Sequence, residues 1–139
     1  MVEIVVFPDV EAVVGSYLSA QLTARGDNTL VTRAAPETLP NRMVRVKGFW
    51  GADRGAALST RYVTVQCTDA SPAAAAELAE LCFAILKAAW HDPAVPAIRQ
   101  VDSVDVVTVE RSALRLPEPN PARPNYQFTV SLLLRGKGR

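Results

Sequence analysis

Residues able to do chemistry are few and far apart in this 139-residue chain. The single histidine, His91, stands beside Asp92, so any Ser-His-Asp or Cys-His arrangement would have to pass through it. A simpler account suffices, because the dipole at a helix C-terminus favours a positive side chain there. Cys67 sits in an alternating, strand-like run and Cys82 in a helical one, without the short spacings of metal or redox pairs. They read as reduced, buried thiols. Two Cys and one His make three scattered candidates where zinc wants three or four gathered ligands. Asp102, Asp105 and Glu110 could act as paired acids, but Asp102 and Asp105 have opposite strand parity unless a bulge intervenes. The glycines of residues 48–55 lack the Lys-Ser of a phosphate loop and the spacing of a dinucleotide site. The expectation is a protein that is not an enzyme and carries no cofactor or metal.

Nucleic-acid contact is the remaining chemical option. Arg42, Arg45 and Lys47 alternate with apolar residues and run into Phe49 and Trp50, and basic grooves with stacking aromatics bind single strands. Against it, 15 basic and 14 acidic residues leave a formal charge of +1, and Val44 and Val46 explain the alternation through core packing.

These residues need elements to hold them. Asp9 is suited to cap a helix over about residues 9–24, whose apolar positions Val10, Val13, Val14, Tyr17, Leu18 and Leu22 share one face. Gly26 ends it, and a loop with Pro36 and Pro40 follows, with a short extended piece at 29–32. Residues 42–49 and 61–68 alternate as half-buried strands. The stretch 50–60 between them is too long for a tight hairpin and reads as a projecting loop. A second helix over about 72–90 begins at Pro72, capped by Asp69 or Ser71, and stops before Pro93. Its apolar arc, centred on Ala75, Leu78, Cys82, Ile85 and Ala89 and flanked by Leu81, Phe83, Leu86 and Trp90, is wider than one sheet contact requires. Either a loop of the same chain or a neighbouring subunit would cover it. Residues 98–116 read as a long extended segment with a bulge near Val106 and Val107. Four prolines at 117–124 make a connector, 126–134 alternates cleanly, and the basic end at 135–139 reads as flexible.

The pattern predicts one α+β domain over 1–139, of order α-β-β-α-β-β: a four-stranded antiparallel or mixed sheet with two helices on one face. The N-terminus carries Glu3 where a signal peptide would carry Lys or Arg, and no apolar run approaches the roughly 20 residues that span a bilayer. A cytoplasmic origin and no membrane partner are expected.

The element order, the passage from Trp50-Gly51 through 61–66 into an alanine-rich helix, and the ending 123–130 after a Leu-Pro-x-Pro segment together resemble the tail terminator proteins of long-tailed phages, especially those of actinobacteria. That resemblance implies a virion protein at the head-proximal end of the tail. It would form a ring, commonly of six copies, that docks on the tail tube protein, halts its polymerisation and offers a surface to the head-tail connector protein, with genomic DNA crossing the hole unread. Another connector or tail-tube subunit, or a small α+β ligand-binding module, are the alternatives. The residues expected to touch partners are Trp50, Asp53 and Arg54 in the 50–60 segment, Phe83 and Trp90 on the second helix, and Arg135, Lys137 and Arg139 at the end.

Overall fold

The computed structural model describes residues 4–7, 9–34, 40–55, 58–91, 104–109, 114–115 and 124–138. In chain order the elements are β1 (Val5–Val6), α1 (Val10–Ala24), β2 (Leu30–Thr32), β3 (Met43–Arg54), β4 (Leu58–Thr68), α2 (Pro72–His91), β5 (Val104–Val109), β6 (Leu114–Arg115), β7 (Asn125–Arg135) and β8 (Lys137–Gly138). The fold is α+β, with two helices and a mixed sheet among the described residues.

Local chemistry sets the helix ends. The Asp9 carboxylate accepts the N–H groups of Glu11 and Ala12 at 3.1 and 3.3 Å, satisfying two of the donors that a helix start leaves open. At the other end Gly26 has φ +74°, and the Asp27 N–H reaches back to the Leu22 carbonyl at 2.9 Å. That closure needs a left-handed residue, which glycine adopts without steric cost. In α2 the Ser71 hydroxyl accepts the Ala74 N–H at 3.1 Å, with Pro72 opening the helix behind it.

The main sheet runs β2-β3-β4-β7-β5, with β6 also on β7, and among the described residues only the β2–β3 pair is parallel. Among the described residues it therefore has six strands where the sequence predicts four, because the 29–32 piece forms an edge strand and the long valine-rich segment supplies two. The bulge in that segment falls at Asp105, between Val104 and Val106, just ahead of its expected place. A separate ribbon pairs β1 with β8, Val5 opposite Gly138 and Val6 opposite Lys137. The chain end expected to be flexible is thus paired at Lys137 and Gly138, because an alternating strand that runs out to Arg135 delivers it beside the N-terminal valines.

The 50–60 segment also departs from expectation. β3 continues to Arg54 and β4 starts at Leu58, with Trp50 opposite Arg61 and Asp53 opposite Ser59. One extra residue on β3 between Trp50 and Asp53 absorbs the phase change, and Gly55, at φ +77°, turns the chain. The segment is a long, bulged hairpin. The proline connector at 116–123, the region 92–103 and Arg139 lie outside the described residues.

One core joins Val14, Leu18 and Leu22 of α1, Leu78, Cys82 and Leu86 of α2, and the inward alternation of β3, β4 and β7. The described part of the α2 arc packs within the chain: α1, β4, β5 and β7 lie against the helix, and Leu81 and Phe83 are half-buried against the core, while the side chains of Ala89 and Trp90 lie outside the described residues. Cys67 and Cys82 are buried and unbridged, and the Cys82 thiol together with burial pushes the Cys67 thiol well above its ordinary range.

Arg42 ties three connections together at the far end of the sheet. Its guanidinium bonds Asp27 at 2.6 Å, Asp69 at 2.8 Å and the Thr29 hydroxyl at 2.7 Å. The Arg42 hydrogen bond holds the Asp27 carboxyl below the usual carboxylate range, with burial opposing and Thr29 assisting. Replacing Arg42 with Met is predicted to lower stability by about 1–3 kcal/mol, towards the lower figure because the arginine remains partly solvated. Because the folded-state value is depressed, Asp27 contributes stability above its unfolded pKa and loses it as pH falls through the folded one. Urea titrations across acid pH should show this loss in the native chain and its absence in Asp27→Asn; an unchanged midpoint for Arg42→Met would contradict the assignment.

Candidate interaction surface

β4 carries Ser59, Arg61, Val63, Val65 and Cys67 on one side, so Arg61 occupies the same phase as the core residues at the point where the core ends. Its guanidinium lies 4.6 Å from the Trp50 ring centroid and 5.1 Å from that of Phe7. Both distances are those of cation–π contacts. Arg61 Nε donates to the Ser59 hydroxyl at 3.0 Å, and that hydroxyl donates to the Asp53 carboxylate at 2.6 Å. A chain of contacts therefore runs from Asp53 at the hairpin through Ser59 and Arg61 to Trp50 and Phe7. Trp50 is fixed from behind while 81% of it stays exposed.

The backbone beneath is close-packed. The Gly48 N–H donates to Glu11 Oε1 at 2.9 Å, joining β3 to the first turn of α1. A Cβ on Gly48 would stand 2.8 Å from Val10 Cγ2, and one on Gly51 would stand 2.6 Å from Tyr62 Cε2 and 2.8 Å from the Thr60 carbonyl oxygen. Arg33 crosses from the end of β2 to Asp9 at 2.8 Å and to Glu11 at 3.8 Å. Two open clefts flank this junction. One, of about 300 Å³, lies between α1 and β2 and includes Ala12, Gly15, Val31 and Val46; the other, of about 220 Å³, lies between Glu11, Gly48, Trp50 and Arg61.

The neighbouring ribbon adds apolar surface. Ile4 is 63% exposed and Val6 also faces solvent, while the close approach of Val5 and Phe7 to Gly136 docks β1 onto the end of β7. Ile4, Val6, Phe49, Trp50 and Leu30 are the exposed large apolar side chains among the described residues, and none belongs to α2. Trp50 lies on the core side of β3 and Phe49 on the other, while Ile4 and Val6 belong to the β1 end of the chain.

The residues singled out from sequence are distributed unevenly. Trp50 and Asp53 belong to this surface directly. Arg54 and Arg135 both stand opposite Leu58, on its two sides, and Lys137 stands opposite Val6, so their backbones come to the same end; their side chains, like that of Trp90, lie outside the described residues. Phe83 is drawn away, edge-on to Phe128 at 5.6 Å, half-buried in the core. Arg139 lies outside the description altogether. Sequence reasoning missed Arg61, Phe7 and the ribbon. The first had a signal, since a charged residue in the phase of Val63 and Val65 needs a partner; Ile4 to Phe7 offered a short apolar run.

Among the described residues, no three His, Cys, Asp or Glu side chains gather as metal ligands, and no helix is long and apolar enough to cross a membrane.

Removing the exposed indole should barely alter folding, so Trp50→Ala is predicted to change stability by no more than about 0.5 kcal/mol. Gly51→Ala should cost about 1–3 kcal/mol, because its methyl group meets the Thr60 backbone as well as the Tyr62 ring. Paired thermal or urea unfolding curves check both, and equal losses would mean that Trp50 is structural rather than displayed. No family model matches the chain, and no curated protein matches it.

Proposed function

We propose that this chain is a phage tail terminator, a structural virion protein made in the host cytoplasm. Copies of it form a ring on the last ring of the tail tube, stop the tube's growth and give the head-tail connector a surface to join. The reading takes the protein as a non-enzymatic α+β subunit with both helices on one face of its sheet, and the single core shared by α1, α2, β3, β4 and β7 supports that layering. It rests on the resemblance in element order and in the passages around Trp50-Gly51, 61–66 and 123–130.

The observation that carries it is the displayed Trp50, held by the Arg61 guanidinium that also meets Phe7. Tryptophan and arginine are the residue types that most often dominate binding energy at interfaces. A surface on one end of a subunit that meets a different surface on the next copy makes a head-to-tail contact, and such contacts close into rings when the rotation permits. Of the residues expected to touch partners, Trp50, Asp53, Arg54, Arg135 and Lys137 belong to this end. Phe83 is set aside, because its ring is engaged with Phe128.

Light scattering across a concentration series, with electron microscopy of the same sample, tests self-association. Addition of the chain to growing tail tubes tests capping. The expected outcome is ring-shaped oligomers, or tubes whose elongation stops on addition, with Trp50→Ala weakening either by about tenfold or more, as loss of a central aromatic anchor does. Tubes that grow past the added protein unchanged, with no oligomer at any concentration, would remove the proposal.

A further inference from the structure

We propose that the sheet face opposite Val46, Val63 and Val65 binds single-stranded nucleic acid without reading its sequence. This inference does not depend on the terminator reading and rests on different side chains. Strand alternation sends Arg45, Lys47 and Phe49 of β3 to that face, beside Gln66, Thr64 and Tyr62 of β4. Gln127 and Thr129 of β7 continue the two rows, and Thr64 and Thr129 hydroxyls meet at 3.2 Å. Along β3, β4 and β7 the described residues of this face include two cations and no Asp or Glu. The face is therefore locally positive although the whole chain is close to neutral, which is the charge pattern a phosphate backbone matches.

Aromatic chemistry distinguishes a single strand from a duplex as the occupant. Phe49 stacks on Tyr62 with centroids 5.4 Å apart and planes within 16°, yet 48% of Phe49 remains exposed. Tyr62 is held from the other direction against Gly51, which has no side chain to displace it. The outer face of Phe49 is thus a fixed platform at the height at which a base would stack. Positions two apart on a strand repeat about every 6.8 Å, twice the roughly 3.4 Å per nucleotide of a stacked strand. Arg45, Lys47 and Phe49 accordingly match a strand lying along β3, with the cations meeting alternate phosphates and the ring meeting a base. A base pair hides its faces within the stack, so a duplex can use the cations but not the ring.

The test is fluorescence anisotropy with the full chain and a labelled oligothymidine of about 12 nucleotides, within the site sizes of sheet-based single-strand binders. Binding should appear at low salt and weaken as salt rises. Phe49→Ala and Phe49→Leu should each reduce affinity by about tenfold, the value of one stacked base, while circular dichroism shows both variants folded. Lys47→Gln should lower the salt slope by about 0.7, the share of one phosphate contact with a single strand. Ser19→Ala, on the exposed side of α1, should leave binding unchanged. The proposal is overturned if oligothymidine does not bind at low salt, if a duplex of equal length binds as tightly, or if the Phe49 variants bind as tightly as the native chain.

Discussion

The register of β4 is the constraint on which the rest of the structure depends. From Leu58 to Thr68 every residue is paired with β7, and ten residues of β3 pair with its other edge. A strand bonded on both sides cannot slip by one residue without sending its whole apolar set to the wrong face. Val63, Val65 and Cys67 are completely buried, so their burial locks the alternation from Ser59 to Thr68. Arg61 and Tyr62 inherit their directions from that lock. Arg61 goes to the core side, at its edge, where Phe7 and Trp50 receive it; Tyr62 goes to the other side, where Phe49 stacks on it. Two surfaces with different chemistry thus follow from one pairing.

Much of this was legible because it rests on local rules. Asp9 as a cap, the α1 stripe, the start of α2 at Pro72 and the alternation of β3, β4 and β7 all follow from side-chain type and period. The hairpin was not legible for a physical reason. A bulge between Trp50 and Asp53 breaks the period of two, and Gly51, Ala52 and Gly55 carry the composition of a loop while the backbone stays paired. Pairing of Val5 and Val6 with Gly138 and Lys137 is equally hidden, since partners so far apart in sequence are joined only by the fold. The same holds for the site. Trp50 and Asp53 were accessible as unusual residues in an unusual stretch, whereas the contact with Phe7 depends on where β1 is carried.

Arg42 shows why a cationic run on a strand is a poor guide by itself. Arg42, Arg45 and Lys47 look equivalent in sequence, yet the first is consumed by Asp27, Asp69 and Thr29 in joining the α1–β2 turn to the approach of α2. It falls just before β3, outside the alternation that carries the other two to one face. Position relative to the strand start, rather than charge, separates a structural arginine from a displayed one. The neutrality of the whole chain hides the same division, because Asp27, Asp69, Asp9 and Glu11 are spent at turns, caps and helix starts, away from the face that holds Arg45 and Lys47.

The hairpin's exposed aromatics raise a further physical question, since an open indole and phenyl ring invite non-specific association. The geometry answers it by immobilising each ring against one polar or aromatic neighbour and leaving only one side free. Trp50 is held by the Arg61 charge, which is itself anchored through Ser59 to Asp53. Phe49 is held by Tyr62, backed by Gly51. A ring fixed in this way loses little rotamer entropy when a partner arrives, so more of its buried area appears as affinity. The charge beside Trp50 also makes a purely greasy partner unfavourable, because covering Arg61 without an acceptor would leave a desolvated cation. Selectivity at the Trp50 end therefore favours a partner that offers an apolar pocket together with a carboxylate or carbonyl at its rim.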